Sequence, residues 1–279
     1  MIASHRFHRL LLVAAAALGL SLPVFCPARA ETSDWVDNAG GRMRLVALAP
    51  DKNGKIRAGL QIEPNPGWIT YWREPGNSGI PPQITMAPGS GVTLERVDYP
   101  TPKHIANGTL DDIGYDGAVT LPLTLSAASG TVNEIKAQAF IGICKEICVP
   151  FQADLSLRFS GSAQSRPEEE AILAAAKASL PEAPSSAFEV NKHRLSDDRK
   201  QLTLEITLPE SGETTPDVIV AGPSGYVFPK QLMSKRDGKT LTTTIAIGKL
   251  PKSYDIHGKS WSALVIDGSR AIESPLAFE

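Results

Sequence analysis

Apolar and polar positions alternate in short runs along most of the chain. "MRLVALA" (43–49), "KIRAGLQIE" (55–63), "ITYW" (69–72), "VTLPLTL" (119–125), "VNEIKAQAF" (132–140) and "ADLSLRF" (153–159) follow one another with turn-forming residues between them. A period of two marks strands with one buried face, and its recurrence every ten residues or so predicts a β-sandwich. The texture changes after Gly161. In "SRPEEEAILAAAKASLPEAPSS" Ser165 stands three residues before Glu168, Pro167 falls in the first turn, and acids precede an Ala/Leu-rich body. This predicts a connecting helix of about fourteen residues, ended by Pro181 and Pro184. Alternation then resumes in "KQLTLEITLP" (200–209), "DVIVAG" (217–222), "TLTTTIAIG" (240–248) and "WSALVID" (261–267). The expected organisation is all-β: a sandwich over 33–161, a helical linker over 162–184 and a second, smaller sandwich over 185–279.

Residues 1–30 depart from this pattern. His5, Arg6, His8 and Arg9 precede an unbroken apolar run from Leu10 to Leu20, and Ala28-Arg29-Ala30 offers small residues for cleavage. A spanning helix needs about 20 apolar residues, so the run reads as a secretory signal peptide and predicts a periplasmic protein. Cys26 would leave with it. Losing Arg6, Arg9 and Arg29 leaves 25 basic residues against 30 acidic ones, a formal charge of −5. That balance argues against nucleic acid or an anionic membrane as partner. No later stretch is long and apolar enough to span a bilayer.

Candidate chemistry narrows to "FIGICKEICVP" (140–150), with Cys144 and Cys148 three residues apart. A disulfide needs Cα atoms roughly 4.4 to 6.8 Å apart, whereas four steps along a strand cover about 13 Å, so the pair can bond only if Lys145-Glu146-Ile147 reverses the chain. Closing so short a loop restricts the unfolded state by only about 2 kcal/mol, a poor return for a structural staple. Tight bridges are also the more reducible ones, which favours a redox-active pair. Two thiolates alone would leave open Cu(I); otherwise no cofactor is expected. His104, His193 and His257 are scattered without metal-ligand spacing. Neither G-x-S-x-G, a phosphate-cradling glycine loop nor H-E-x-x-H occurs. Asp111-Asp112 in "LDDIGYDG" reads as a solvated turn rather than an acid/base pair.

Four segments in order, "NPGWITYWREPGNSGIPP" (65–82), "YPTPKHI" (99–105), "IGYDGAVTLPLTL" (113–125) and "CKEICVP" (144–150), resemble the N-terminal periplasmic domain of the DsbD/ScsB family. The resemblance covers about residues 35–160. It implies an immunoglobulin-like sandwich that passes electrons by thiol–disulfide exchange, with Cys144 and Cys148 as the redox pair and Cys148 as nucleophile. It also matches "LDDIGYDG" to the family's capping loop, which nominates Asp111, Asp112, Ile113 and Tyr115 as shielding residues. Trp68, Tyr71 and Trp72 are assigned to packing, Tyr71 on the face opposite the two tryptophans. DsbD continues into a membrane domain and a thioredoxin-like domain that this sequence lacks. The expected partners are therefore a thioredoxin-fold periplasmic protein and a separate membrane-embedded thiol reductase. The competing reading is a non-redox β-sandwich adaptor or copper-binding module.

Overall fold

The computed structural model describes residues 32–76, 79–107, 110–128, 132–159, 167–222, 225–250 and 254–278. The leader expected over 1–30 and the capping residue Ser165 lie outside them. Before the helix run β1 (Val36–Asn38), β2 (Gly41–Ala47), β3 (Lys55–Pro64), β4 (Ile69–Tyr71), β5 (Gln83–Met86), β6 (Val92–Val97), β7 (Lys103–Asn107), β8 (Leu110–Tyr115), β9 (Val119–Ala127), β10 (Glu134–Cys144) and β11 (Cys148–Arg158). They form two antiparallel sheets, β1-β2-β3-β9-β6 and β11-β10-β4-β8-β7, with β5 paired to β10. The period-two pattern explains why the sheets face each other. Met43, Leu45 and Ala47 of β2 and Leu121, Leu123 and Leu125 of β9 meet Ile141 and Ile143 of β10 and Leu155 and Leu157 of β11 in one buried core. Each such aliphatic side chain contributes roughly 1.5 to 3 kcal/mol when removed from water, so the long β10–β11 hairpin is anchored along its inner face. What it carries at its tip is held in place.

"LDDIGYDG" is not a turn. Residues 110–115 are strand β8, which pairs with β4 and β7. Ile113 and Tyr115 point into the core, and a side chain at Gly114 would collide with the Thr70 carbonyl oxygen. Glycines and acids read as turn residues because exposed turns favour them; here they allow a close backbone approach instead.

Helix α1 (Pro167–Ala178) has Pro167 in its first position, Glu168, Glu169 and Glu170 in its first turn and Lys177 in its last, matching the helix dipole. It docks on the outer face of the first sandwich, where Leu173 packs with Val46 and Leu48.

Beyond it come β12 (Glu189–Leu195), β13 (Gln201–Thr207), β14 (Asp217–Ala221), β15 (Val227–Phe228), β16 (Gln231–Asp237), β17 (Thr240–Ala246), β18 (Trp261–Asp267) and β19 (Arg270–Leu276). They make the sheets β12-β13-β17-β16 and β15-β14-β18-β19 around Phe188, Leu204, Ile206, Leu241 and Trp261. The second of these sheets is buried on both faces. Val218, Val220, Ala263 and Val265 fill its own sandwich, while Ile219, Ala221, Leu264 and Ala271 join the core cluster of the first. Among the described residues the fold is thus an immunoglobulin-like sandwich, one short helix and a second β-sandwich; the alternation predicts the sandwiches and the resemblance the immunoglobulin-like form of the first.

Candidate functional site

Cys144 closes β10 and Cys148 opens β11, and the two are direct cross-strand partners. Their Cα atoms are 4.1 Å apart and their sulfurs are bonded. The reversal that the spacing requires is the three-residue loop 145–147, with Lys145 N–H donating to the Ile147 carbonyl at 3.2 Å. The two sulfurs are not equivalent. Cys144 is 4 % exposed, whereas Cys148 lies on the exposed edge beside Ile147, which is 72 % exposed. Beside the tip, Asn65-Pro66-Gly67-Trp68 forms a turn closed by Trp68 N–H to Asn65 O at 2.9 Å, with Gly67 at φ 80° and Lys145 Cε 3.5 Å from where a Cβ would sit. Pro at the second position and a left-handed Gly at the third are what a type II turn demands.

Alternation along β10 sends Ile141 and Ile143 inward, so Gly142 and Cys144 face outward. On that outer face Tyr71 of β4 lies across Gly142, whose Cβ would come within 3.0 Å of the ring. Gly142 donates its N–H to the Ile80 carbonyl at 3.3 Å, and the backbone at Gly79 rests on the same ring. The tyrosine is thereby buried to 1 % exposure with its hydroxyl 3.2 Å from Cys148 Sγ. A disulfide sulfur carries no proton, so the hydroxyl donates. Burial, and secondarily the Asp112 carboxylate, push the Tyr71 pKa up from 10.0 to about 12. The phenol keeps its proton throughout the neutral range and remains a donor aimed at sulfur.

The nominated shielding residues separate by face. Asp112, 4 % exposed, shares the outer face with Tyr71 and acts on it through charge. Ile113 and Tyr115 lie on the other face of β8. They face the core, where the Tyr115 hydroxyl donates to the Pro100 carbonyl at 2.9 Å. Strand register is the reason: in β8 only every second residue shares the face of Cys144. The side chain of Asp111 lies outside the described residues. Trp72 is a core residue and Trp68 packs against that core, as assigned. Tyr71 is buried as a packing residue would be, and its hydrogen bond to Cys148 is a contact that its place in "ITYW" does not announce. The available signal was its face: a large polar-tipped side chain opposite the tryptophans needs a partner on the outer surface.

Two of the histidines lie in the second sandwich. His193 bonds the Ala277 carbonyl through Nε2 at 2.6 Å, and His257 sits in a turn. Among the described residues no group of three or more His, Cys, Asp or Glu assembles that could hold a metal ion. Among the same residues no helix is long and apolar enough to cross a membrane.

Residues 43–160, which contain this entire arrangement, match the family described as thiol:disulfide interchange protein DsbD, N-terminal. The match spans less than half of the chain and shows a likeness of this segment to that family. Residues 179–279 match a domain of unknown function, DUF8393. The crystal structure of the N-terminal periplasmic domain of ScsB from Proteus mirabilis superposes with a TM-score of 0.74 at 21 % identity, over 90 % of this chain and 100 % of that one. At that identity the likeness is one of fold, and it extends through both sandwiches. A conserved domain protein from Bacillus anthracis aligns over 83 % of the chain and 75 % of its own at 8 % identity, but its TM-score of 0.24 carries no structural argument. No curated protein matches by sequence. The disulfide of this DsbD-like segment thus sits at a hairpin tip, half open to solvent, with Tyr71 beneath it.

Proposed function

We propose that the protein is a periplasmic thiol–disulfide interchange carrier. In this reading Cys144 and Cys148 take reducing equivalents from a membrane-embedded thiol reductase and deliver them to a thioredoxin-fold protein. The observation that carries it is the asymmetry of the pair: an exposed Cys148 with a phenol donor at 3.2 Å, backed by a buried Cys144. In the reduced protein the Cys148 thiolate attacks one sulfur of the partner disulfide. That S–S bond breaks, the partner's second sulfur leaves as thiolate, and a Cys148–partner mixed disulfide remains. The Cys144 thiolate then attacks Cys148 Sγ, releasing the partner's remaining sulfur as thiolate. Two electrons have moved to the partner and the Cys144–Cys148 bond is restored. The Tyr71 hydroxyl stabilises the negative charge on Cys148 before attack, because a hydrogen bond to the charged form favours it.

Equilibration of the mature protein with glutathione redox buffers tests this. A reduction potential above about −300 mV is expected for an exchange site; a value well below it assigns the bridge a structural role and overturns the proposal. In periplasmic extract, Cys144→Ala should leave Cys148 free to trap a thioredoxin-fold protein in a reducible adduct.

A further inference from the structure

The second sandwich reaches into the redox face of the first. Between Tyr71 and the stretch that lies on its ring, the chain makes a short detour around Ile113. Trp72 N–H donates to the Ile113 carbonyl at 3.0 Å, and Ile113 N–H donates to the Pro75 carbonyl at 3.2 Å. Arg73 and Glu74 are looped out between these two bonds. Both reach the second sandwich. Arg73 makes a two-pronged contact with Glu273 of β19, Nη1 to Oε2 at 3.1 Å and Nη2 to Oε1, and Nη2 lies 3.5 Å from Ser262 Oγ of β18. Ser262 donates to Glu273 Oε1 at 2.7 Å, so the carboxylate is oriented before it meets the guanidinium. Trp72 supplies the other side of the grip, with the Arg73 guanidinium carbon 3.9 Å from its ring centroid. Glu74 accepts a hydrogen bond from the Gly225 backbone.

A forked arginine held by an oriented carboxylate and an aromatic face has one geometry, unlike a surface ion pair that samples many. Leu264, the cross-strand partner of Glu273, belongs to the apolar contact between sandwiches, which keeps the pair only partly solvated. Resting on the exchange function proposed above, we infer that Glu273 and Ser262 are positioning residues for the dithiol site. They act through Arg73 to fix Tyr71, two residues away, under Cys148. The second sandwich is therefore part of the redox device rather than a passive neighbour.

The test uses the reduced full-length protein and follows iodoacetamide alkylation of Cys148 against pH. Glu273→Gln and Arg73→Gln should each shift the midpoint to higher pH, because Tyr71 is no longer held as donor. Each should also raise the limiting rate about fivefold, at the low end of site-to-site coupling. Combining them should add nothing, since both break one link. Ser262→Ala, a change too small to unfold the protein, should move the midpoint partway. Arg270→Gln breaks the exposed Glu182–Arg270 pair between linker and second sandwich and serves as control. Midpoints and rates equal to wild type in both Glu273→Gln and Arg73→Gln overturn the inference. So does an equal shift in Arg270→Gln, which would mean that any loosening of the interface suffices. Failure of the wild-type pair to exchange with glutathione would instead remove the exchange function itself, so the two failures are distinguishable.

Discussion

Replacing Tyr71 by Phe deletes one oxygen from a position 3.2 Å from Cys148 Sγ and leaves the ring on Gly142 intact. Loss of a hydrogen bond to a charged group should raise the Cys148 thiol pKa by about one unit and lower the reduction potential, since the reduced form loses its stabilised thiolate. Alkylation against pH and glutathione titration check both. The same residue sets a stability trend at high pH. Its folded-state pKa of about 12 exceeds the ordinary 10.0, so the folded state holds the proton longer than the unfolded chain does. Stability should be fully present below about pH 10 and fall as pH rises toward 12, with Tyr115, also raised by burial, adding in the same sense. In urea unfolding across that range, Tyr71→Phe should flatten the decline. The cysteines were legible because their spacing admits only a reversal. Tyr71 was not, because an aromatic in an alternating run reads first as core.

At the level of elements, the site depends on what β8 and β10 leave out. A methyl at Gly142 would approach Ile80 Cβ to 2.7 Å as well as the Tyr71 ring. Gly142→Ala should therefore cost about 1 to 3 kcal/mol through overpacking and uncover the sulfurs, seen as lower thermal stability together with faster alkylation. Ile113→Gly with Tyr115→Ala, which a capping role would make a pure test of access, should instead lose several kcal/mol, because both residues are in the core. Periodicity located β2, β3, β4, β9, β10, β11, β13, β14, β17 and β18 within a few residues. It failed for β8, where Gly114 and the two aspartates carry the strand past Thr70 under constraints that only the neighbouring strand reveals. It also gave no sign that β14, β18 and β19 are buried on both faces, since Ile219 and Leu264 alternate with residues that are equally apolar.

For the whole molecule, that doubly buried sheet makes the sandwiches mutually dependent. Ser179 O accepts from Thr101 N–H on one side of the connector, and Glu182 N–H donates to Ala271 O on the other. Residues 183–187, exposed just beyond the second of these ties, are the expected site of limited proteolysis. The two fragments should still co-elute on size exclusion; separation into independent monomers would contradict the shared core. At the outer rim of the first sandwich β11 has β10 on one side and, among the described residues, no strand on the other. Gly142 turns its N–H away from β11, toward Ile80, so its cross-strand partner Pro150 turns its nitrogen to the open rim. There the missing hydrogen interrupts the row of donors two residues from Cys148. A strand added along this rim would go without a backbone hydrogen bond beside the sulfurs. For the exchange proposed above, that leaves contact next to Cys148 to side chains and favours release of each partner after reaction.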